Sequence, residues 1–207
     1  EPGLNEDIAA TMVWGTQQTD VFGNAKYDGV FGMWYGKNPG VDRTGDVFKH
    51  ANMHGTSRNG GVIAVSGDDP GATSSSIPNQ CEHAFITAMS PVLYPSDVSE
   101  VIDFGLFGFA ASRYSGLWLA LKTVADTLET SSTVILPQTP NPLLMPSDFE
   151  MPSTGVEARW PDVRWDQDHR LQNIKIPAVQ AFARANNIDR VVLGGQKKRY
   201  GIAAAGK

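Results

Sequence analysis

The run Gly61-Val62-Ile63-Ala64-Val65-Ser66, followed by Gly67-Asp68-Asp69-Pro70-Gly71, decides the fold. Its first six residues carry no charge and show no apolar/polar alternation, which is the pattern of a strand buried on both faces of a parallel sheet. Turn residues then end it. Parallel strands need long crossovers, usually helices, so helical patterns should flank this run on both sides. Upstream, residues 29–35 read as a strand ended by the turn Gly36-Lys37-Asn38-Pro39-Gly40, and residues 44–53 as a helix closed by Gly55-Thr56-Ser57. Downstream, a helix over 80–89 leads to the short strand Val92-Leu93-Tyr94. Pro95-Ser96-Asp97 then opens a helix to about 112, with Ser96 as its cap, and residues 117–123 form a further strand.

At the front of the chain, residues 5–18 carry a helix start: Asn5 can cap, Glu6 and Asp7 occupy the first turn, and Ile8, Met12 and Val13 follow at helical spacing. The whole is the pattern of βαβ crossovers, and it predicts a doubly wound α/β fold, mostly parallel, with helices on both faces. From residue 130 the character changes. Pro137, Pro140, Pro142, Pro146, Pro152 and Pro161 are spread through Ser/Thr-rich sequence, which reads as a linker or wrapping arm. A helix over 166–186, interrupted at Pro177, and apolar runs at 190–193 and 200–205 then read as the start of another unit. The expected organisation is a domain over 1–129, a linker over 130–165 and a C-terminal helix/strand extension over 166–207.

The chain has 207 residues, 41% hydrophobic and 19% charged, with 17 Lys+Arg against 22 Asp+Glu, a formal charge of −5. This composition excludes a disordered or collagen-like chain. No basic stripe accompanies the acidic balance, and Lys197-Lys198-Arg199 is too short to serve as one, so nucleic acid is not an expected partner. A single cysteine, Cys81, excludes an intrachain disulfide and any cysteine-ligated cluster made by this chain alone. No apolar run approaches the roughly 18 residues of a membrane span, and the first residues lack a signal-peptide pattern. A cytoplasmic protein is expected. The absence of an initial Met, and an end that comes just after an apolar run, raise the expectation of a longer polypeptide.

Few residues stand out for chemistry. The polar loop 67–76, with Asp68 and Asp69, could bind a cation or hold a partner's loop; a solvated turn whose Asp and Ser bond their own backbone is the plainer alternative. His50 and His54 share a helix face at metal-ligand spacing, and His83 beside Glu82 could add a ligand, which keeps a metal-dependent hydrolase open. The segment His-Ala-Asn-Met-His lacks the glutamate base of a zinc protease, and two unrelated histidines are the simpler explanation. No nucleophile elbow, phosphate-binding loop or dinucleotide fingerprint occurs. Phe104, Phe107, Phe109, Tyr114 and Trp118 read as core. By itself Glu6 reads as a first-turn carboxylate favoured by the helix dipole.

Longer runs carry more. Residues 3–11 (Gly-Leu-Asn-Glu-Asp-Ile-Ala-Ala-Thr), 27–31 (Tyr-Asp-Gly-Val-Phe) and 34–43 (Trp-Tyr-Gly-Lys-Asn-Pro-Gly-Val-Asp-Arg) are followed by His50-Ala51-Asn52 and Gly67-Asp68-Asp69. Arg113-Tyr114-Ser115-Gly116-Leu117-Trp118, Arg159-Trp160-Pro161-Asp162, residues 182–186 and 189–193, and Gly201-Ile202 extend the series. Together they resemble the 2-oxoacid:ferredoxin oxidoreductases, most closely the long, fused bacterial indolepyruvate ferredoxin oxidoreductases. The resemblance implies a thiamine-diphosphate pyrimidine-binding domain, incomplete at its N-terminus, plus a linker into a domain similar to the transketolase C-terminal domain.

It implies that Glu6 is both the catalytic and the cofactor-binding carboxylate. A buried Glu of raised pKa would share a proton with the aminopyrimidine ring nitrogen and favour the imino tautomer that removes the thiazolium C2 proton. The complete enzyme would oxidatively decarboxylate an aryl or branched 2-oxo acid to an acyl-CoA and pass electrons to ferredoxin. It would use thiamine diphosphate, magnesium, 4Fe-4S clusters and coenzyme A, and would form a homodimer. No metal ligand is implied in this chain, and the diphosphate-binding and iron–sulfur domains would be its partners. The isolated chain is expected to be inactive and to hold no cofactor firmly. A noncatalytic α/β association module is the other alternative.

Overall fold

Four strands form one sheet: β1 (Phe31–Lys37), β2 (Gly61–Asp68), β3 (Val92–Leu93) and β4 (Trp118–Val124), in the order β1-β2-β4-β3 with every pairing parallel. They are seen in a computed structural model that describes residues 2–23, 25–71, 76–136, 142–195 and 199–206. The helices among these residues are α1 (Glu6–Thr16), α2 (Thr19–Phe22), α3 (Asn38–His54), α4 (Glu82–Thr87), α5 (Val98–Ser115), α6 (Ala125–Leu128), α7 (Arg164–Arg170) and α8 (Ile176–Ala185), with a π-helical turn, Leu171–Lys175, between the last two.

Pleating sends alternate residues of the central strands to opposite faces, and each face is covered by helices. Val62, Ala64, Trp118 and Ala120 meet α1, α3 and α4. There Phe48 packs against Trp34, Phe85 and Trp118 with ring centroids 5.1, 5.5 and 5.9 Å away. Ile63, Leu119 and Leu121 face α5 and α8, where Phe107 and Phe182 lie 5.4 Å apart and Tyr114 stacks on Phe182 at 5.1 Å. Burying each such aromatic side chain contributes about 1.5–3 kcal/mol. The two-sided burial anticipated from residues 61–66 is therefore the observed architecture, a parallel α/β sheet with helices on both faces. Only β1 keeps one side open, with Phe31, Met33 and Tyr35 exposed.

Several local readings need correction. The segment Gly36–Gly40 is not a turn: Lys37 is extended and α3 begins at Asn38, because the fixed φ of Pro39 suits a first helical turn. Asp97, not Ser96, caps α5, accepting from the Glu100 N–H at 2.9 Å, while Ser96 donates its N–H and hydroxyl to the Glu100 carboxylate. The interruption expected near Pro177 is present as the π-turn Leu171–Lys175, which separates α7 from α8. The π-turn ahead of it places Pro177 in the first turn of α8, where no hydrogen bond from its nitrogen is needed. Residues 190–193 and 200–205 form no strand, and Val191, Val192, Leu193, Tyr200 and Ile202 are exposed; among the described residues no strand pairs with them.

Between α6 and α7 the described residues form no helix or strand; Pro137 and Pro140 lie outside them. The arm is tied down at intervals. Leu144 exchanges hydrogen bonds with the Asn186 side chain (2.8 and 3.0 Å), Asp148 pairs with Arg184 at 2.7 Å, and the Ala158 N–H reaches the Thr56 carbonyl at 2.9 Å. Residues 176–185, read from sequence as leading into a further unit, pack into the core beneath α5. No helix among the described residues is long and apolar enough to cross a membrane.

Candidate functional site

The carboxyl ends of the four parallel strands lie on one side, where α/β folds receive ligands. A buried polar cluster occupies that end. β2 runs on through Gly67 to Asp68, whose side chain points inward and not into solvent; the residue is 1% exposed. Its carboxylate accepts from the Cys81 N–H (2.9 Å) and the Ser66 hydroxyl (2.9 Å), and it lies 3.3 Å from the Lys122 ammonium of β4. The same ammonium pairs with Glu82 at the start of α4 and lies 4.6 Å from the centre of the Tyr94 ring. Burial pulls Lys122 toward neutrality, but its hydrogen bonds to Glu82 and Asp68 outweigh this and raise its pKa above the ordinary lysine value.

Among the described residues, Asp68, Cys81 and Glu82 are the one group of three possible metal ligands, their ligand atoms all within 4.8 Å of one another. Burial pushes the Cys81 thiol up to about 12, so no thiolate is available near neutral pH. Both carboxylates are already paired with the one Lys122 ammonium. The cluster is thus an ion-pair network in which two carboxylates share one ammonium. The solvated-turn reading fails for Asp68, which is buried and held by Cys81 and Lys122 as well as by nearby Ser66; Ala72, Thr73, Ser74 and Ser75 lie outside the described residues.

The histidines do not assemble a metal centre. His50 and His54 flank the Trp14 indole, with ring centroids 6.1 and 6.0 Å from it. His50 Nδ1 lies 3.0 Å from the Asp46 carbonyl oxygen, and His83 is exposed on α4. Burial, reinforced by the nearby Lys175 charge, lowers the His54 pKa. No group of three possible ligands among the described residues includes a histidine, which removes the support for a metal-dependent hydrolase.

Glu6 opens α1 at the same end of the sheet. Asn5 caps the helix as its position suggests, its Oδ1 accepting from the Ile8 N–H at 2.8 Å. The Glu6 carbonyl accepts a hydrogen bond from Trp34 Nε1 at 2.9 Å, and its side chain lies against Gly40 in the first turn of α3. The residue is half-buried, not fully buried as the resemblance implied. No described residue donates a hydrogen bond to its carboxylate. Beside it, buried Asn38 makes a long 3.5 Å contact from Nδ2 to Asp68, and its Oδ1 has no partner among the described residues.

Sequence reasoning missed Lys122, Asn38 and Lys175. Lys122 was detectable, because a lysine inside Trp118-Leu119-Ala120-Leu121-Lys122-Thr123-Val124 must find a buried acid. Lys175 is fully buried in the π-turn and donates to the carbonyls of Asn52 (2.8 Å) and Met53 (3.1 Å) at the end of α3. Burial, with Arg170 and Arg159 nearby, drives its pKa down to about 7, although Asp162 opposes this; Asp162 is itself paired with Arg170. A neutral amine has two donors for these two acceptors. Because the unfolded chain holds the Lys175 proton up to about pH 10.5, stability should rise with pH above about 7, by roughly 2 kcal/mol between pH 7 and 9. Urea midpoints should climb over that interval in the parent and stay flat in Lys175→Met; equal slopes would contradict the assignment.

No protein-family model matches the chain, and no solved structure matches it. The chain is 25% identical over 193 residues, 90% of its length, to the indolepyruvate oxidoreductase subunit IorA of Methanothermobacter thermautotrophicus. It spans 29% of that protein's length. This similarity supports a distant relationship to an oxidoreductase subunit.

Proposed function

We propose that this chain is the pyrimidine-facing part of a thiamine-diphosphate-dependent 2-oxoacid oxidoreductase, with Glu6 as the acid that meets the cofactor's aminopyrimidine. The observation that carries the reading is Glu6 itself, a half-buried carboxylate at the carboxyl end of a parallel sheet, with no described donor on its oxygens. The similarity to an indolepyruvate oxidoreductase subunit adds support. Such a carboxylate fits the group in question, because a ring nitrogen that shares a proton with an acid needs an acceptor free of other donors.

When bound, the cofactor would supply a carbanion equivalent and an electron sink at its thiazolium ring. Glu6 would accept the hydrogen bond of the pyrimidine ring nitrogen, hold its proton in place and thereby set the tautomer of the exocyclic amine. The Trp34 hydrogen bond would fix the start of α1 while this proton is held. Asp68, Cys81 and Glu82 fit magnesium poorly because the Lys122 ammonium is already paired with both acids, where a cation would have to sit, and the thiol stays protonated. The diphosphate and its magnesium would therefore fall to a partner domain. Electron transfer would also belong to partners, since this chain has one cysteine.

The substrate class follows the relative's name, an aryl 2-oxo acid such as indolepyruvate; coenzyme A and ferredoxin as co-substrates rest on the resemblance of the residue runs alone. In an assay of the complete polypeptide, ferredoxin should be reduced only when thiamine diphosphate, magnesium, coenzyme A and an aryl 2-oxo acid are all present. No cofactor-dependent reduction with any aryl, branched or short 2-oxo acid would refute the proposal.

A further inference from the structure

The run Trp34-Tyr35-Gly36-Lys37-Asn38-Pro39-Gly40 joins β1 to α3, and three of its residues fit around Glu6. Trp34 is 1% exposed and donates from its indole nitrogen to the Glu6 carbonyl. A Cβ placed on Gly36 would lie 2.8 and 2.9 Å from the Trp34 ring, so only glycine leaves that ring where it is. A Cβ placed on Gly40 would lie 2.5 Å from Glu6 Cγ and 3.2 Å from Cδ, and its three nearest neighbours are all Glu6 atoms. Gly40 sits in helical backbone, so alanine would suit its conformation and even favour the helix; the closest obstruction is the Glu6 side chain.

We infer that Trp34, Gly36 and Gly40 are positioning residues for Glu6: Trp34 fixes its backbone, Gly36 makes room for Trp34, and Gly40 makes room for the side chain that carries the carboxylate. The inference deepens the reading of Glu6 as the cofactor's acid and rests on it. Glu6 Cγ and the carboxylate carbon Cδ belong to a flexible side chain, so Gly40→Ala can be relieved by rotating Glu6 away. The fold then survives while the carboxylate is displaced. Trp34→Phe keeps most of the buried ring and removes only the N–H donor.

Two readouts test this. In thermal unfolding of the chain, Gly40→Ala should raise Tm by about 2 °C in a Glu6→Ala background, where the obstructing atoms are gone, and give no gain or a loss with Glu6 present. The same change in both backgrounds would overturn the contact. In the complete polypeptide loaded with thiamine diphosphate and magnesium, Gly40→Ala and Trp34→Phe should slow exchange of the cofactor's C2 proton at least tenfold, with Tm within a few degrees of the parent. If Glu6→Ala slows exchange while Gly40→Ala and Trp34→Phe do not, the positioning role fails alone. If Glu6→Ala leaves exchange unchanged, the acid role fails and the positioning role with it, whatever the unfolding cycle shows about packing.

Discussion

Replacing Lys122 by Met is expected to destabilise the protein by about 3–5 kcal/mol, the cost of leaving a buried partner charge uncompensated. For a chain of this size that corresponds to a fall in Tm of roughly 10 °C or more. The size follows from where the ammonium sits. Lys122 is a lysine in a strand whose residues are all buried, and it faces the Asp68 carboxylate, which is shut off from water. Without Lys122, Asp68 keeps donors from Cys81, Ser66 and, at long range, Asn38, but no cation. The Lys122→Met/Asp68→Asn double variant should recover much of the loss, because the one charge left without its partner, Glu82, is about a third exposed to water. Thermal unfolding of both variants decides the matter; a Lys122→Met variant within about 2 °C of the parent would show that the cluster is better hydrated than its burial implies.

The fold was legible wherever one strand or helix announced itself locally. Residues 61–66 lack alternation because both faces of β2 meet helices. Asn5 was legible as a cap because capping is a contact between residues three apart. Pro39 misled because the same residue suits a turn and a first helical turn, and only the extended Lys37 before it distinguishes them. The candidate site was less legible. The Asp68–Lys122 pair joins residues 54 positions apart and exists only because β2 and β4 are neighbours in the sheet. Gly40 against Glu6 is a contact of the same kind: no pattern within residues 34–40 shows that a side chain from α1 occupies the space a Cβ would need. The resemblance to 2-oxoacid:ferredoxin oxidoreductases singled out that run, and the packing supplies a physical reason for its tryptophan and two of its glycines.

Lys175 and Lys122 show how burial alone does not determine a lysine's charge. Lys122 has two carboxylates within reach and stays an ammonium; Lys175 has two backbone carbonyls and no carboxylate of its own, and its pKa falls to about 7. The first should lose its stabilising charge only at strongly alkaline pH, above the ordinary lysine range. The second makes the protein more stable as the pH rises from 7 to 9. One residue sits at the carboxyl end of the sheet and the other ties the π-turn to the end of α3, so single variants at the two positions should be nearly additive.

The second large effect concerns Glu6. A carboxylate that shares a proton with the pyrimidine ring nitrogen accelerates removal of the C2 proton by supplying an acid–base partner, a contribution of about 10²–10⁴-fold. Glu6→Gln keeps the size of the side chain and removes its ability to carry that proton, so any fall in rate reports the proton and not the packing. The decisive measurement is hydrogen–deuterium exchange at C2 of thiamine diphosphate bound to the complete polypeptide with magnesium, comparing parent and Glu6→Gln at saturating cofactor. The account predicts exchange slowed at least about a hundredfold with the cofactor still bound; exchange within twofold of the parent would contradict it.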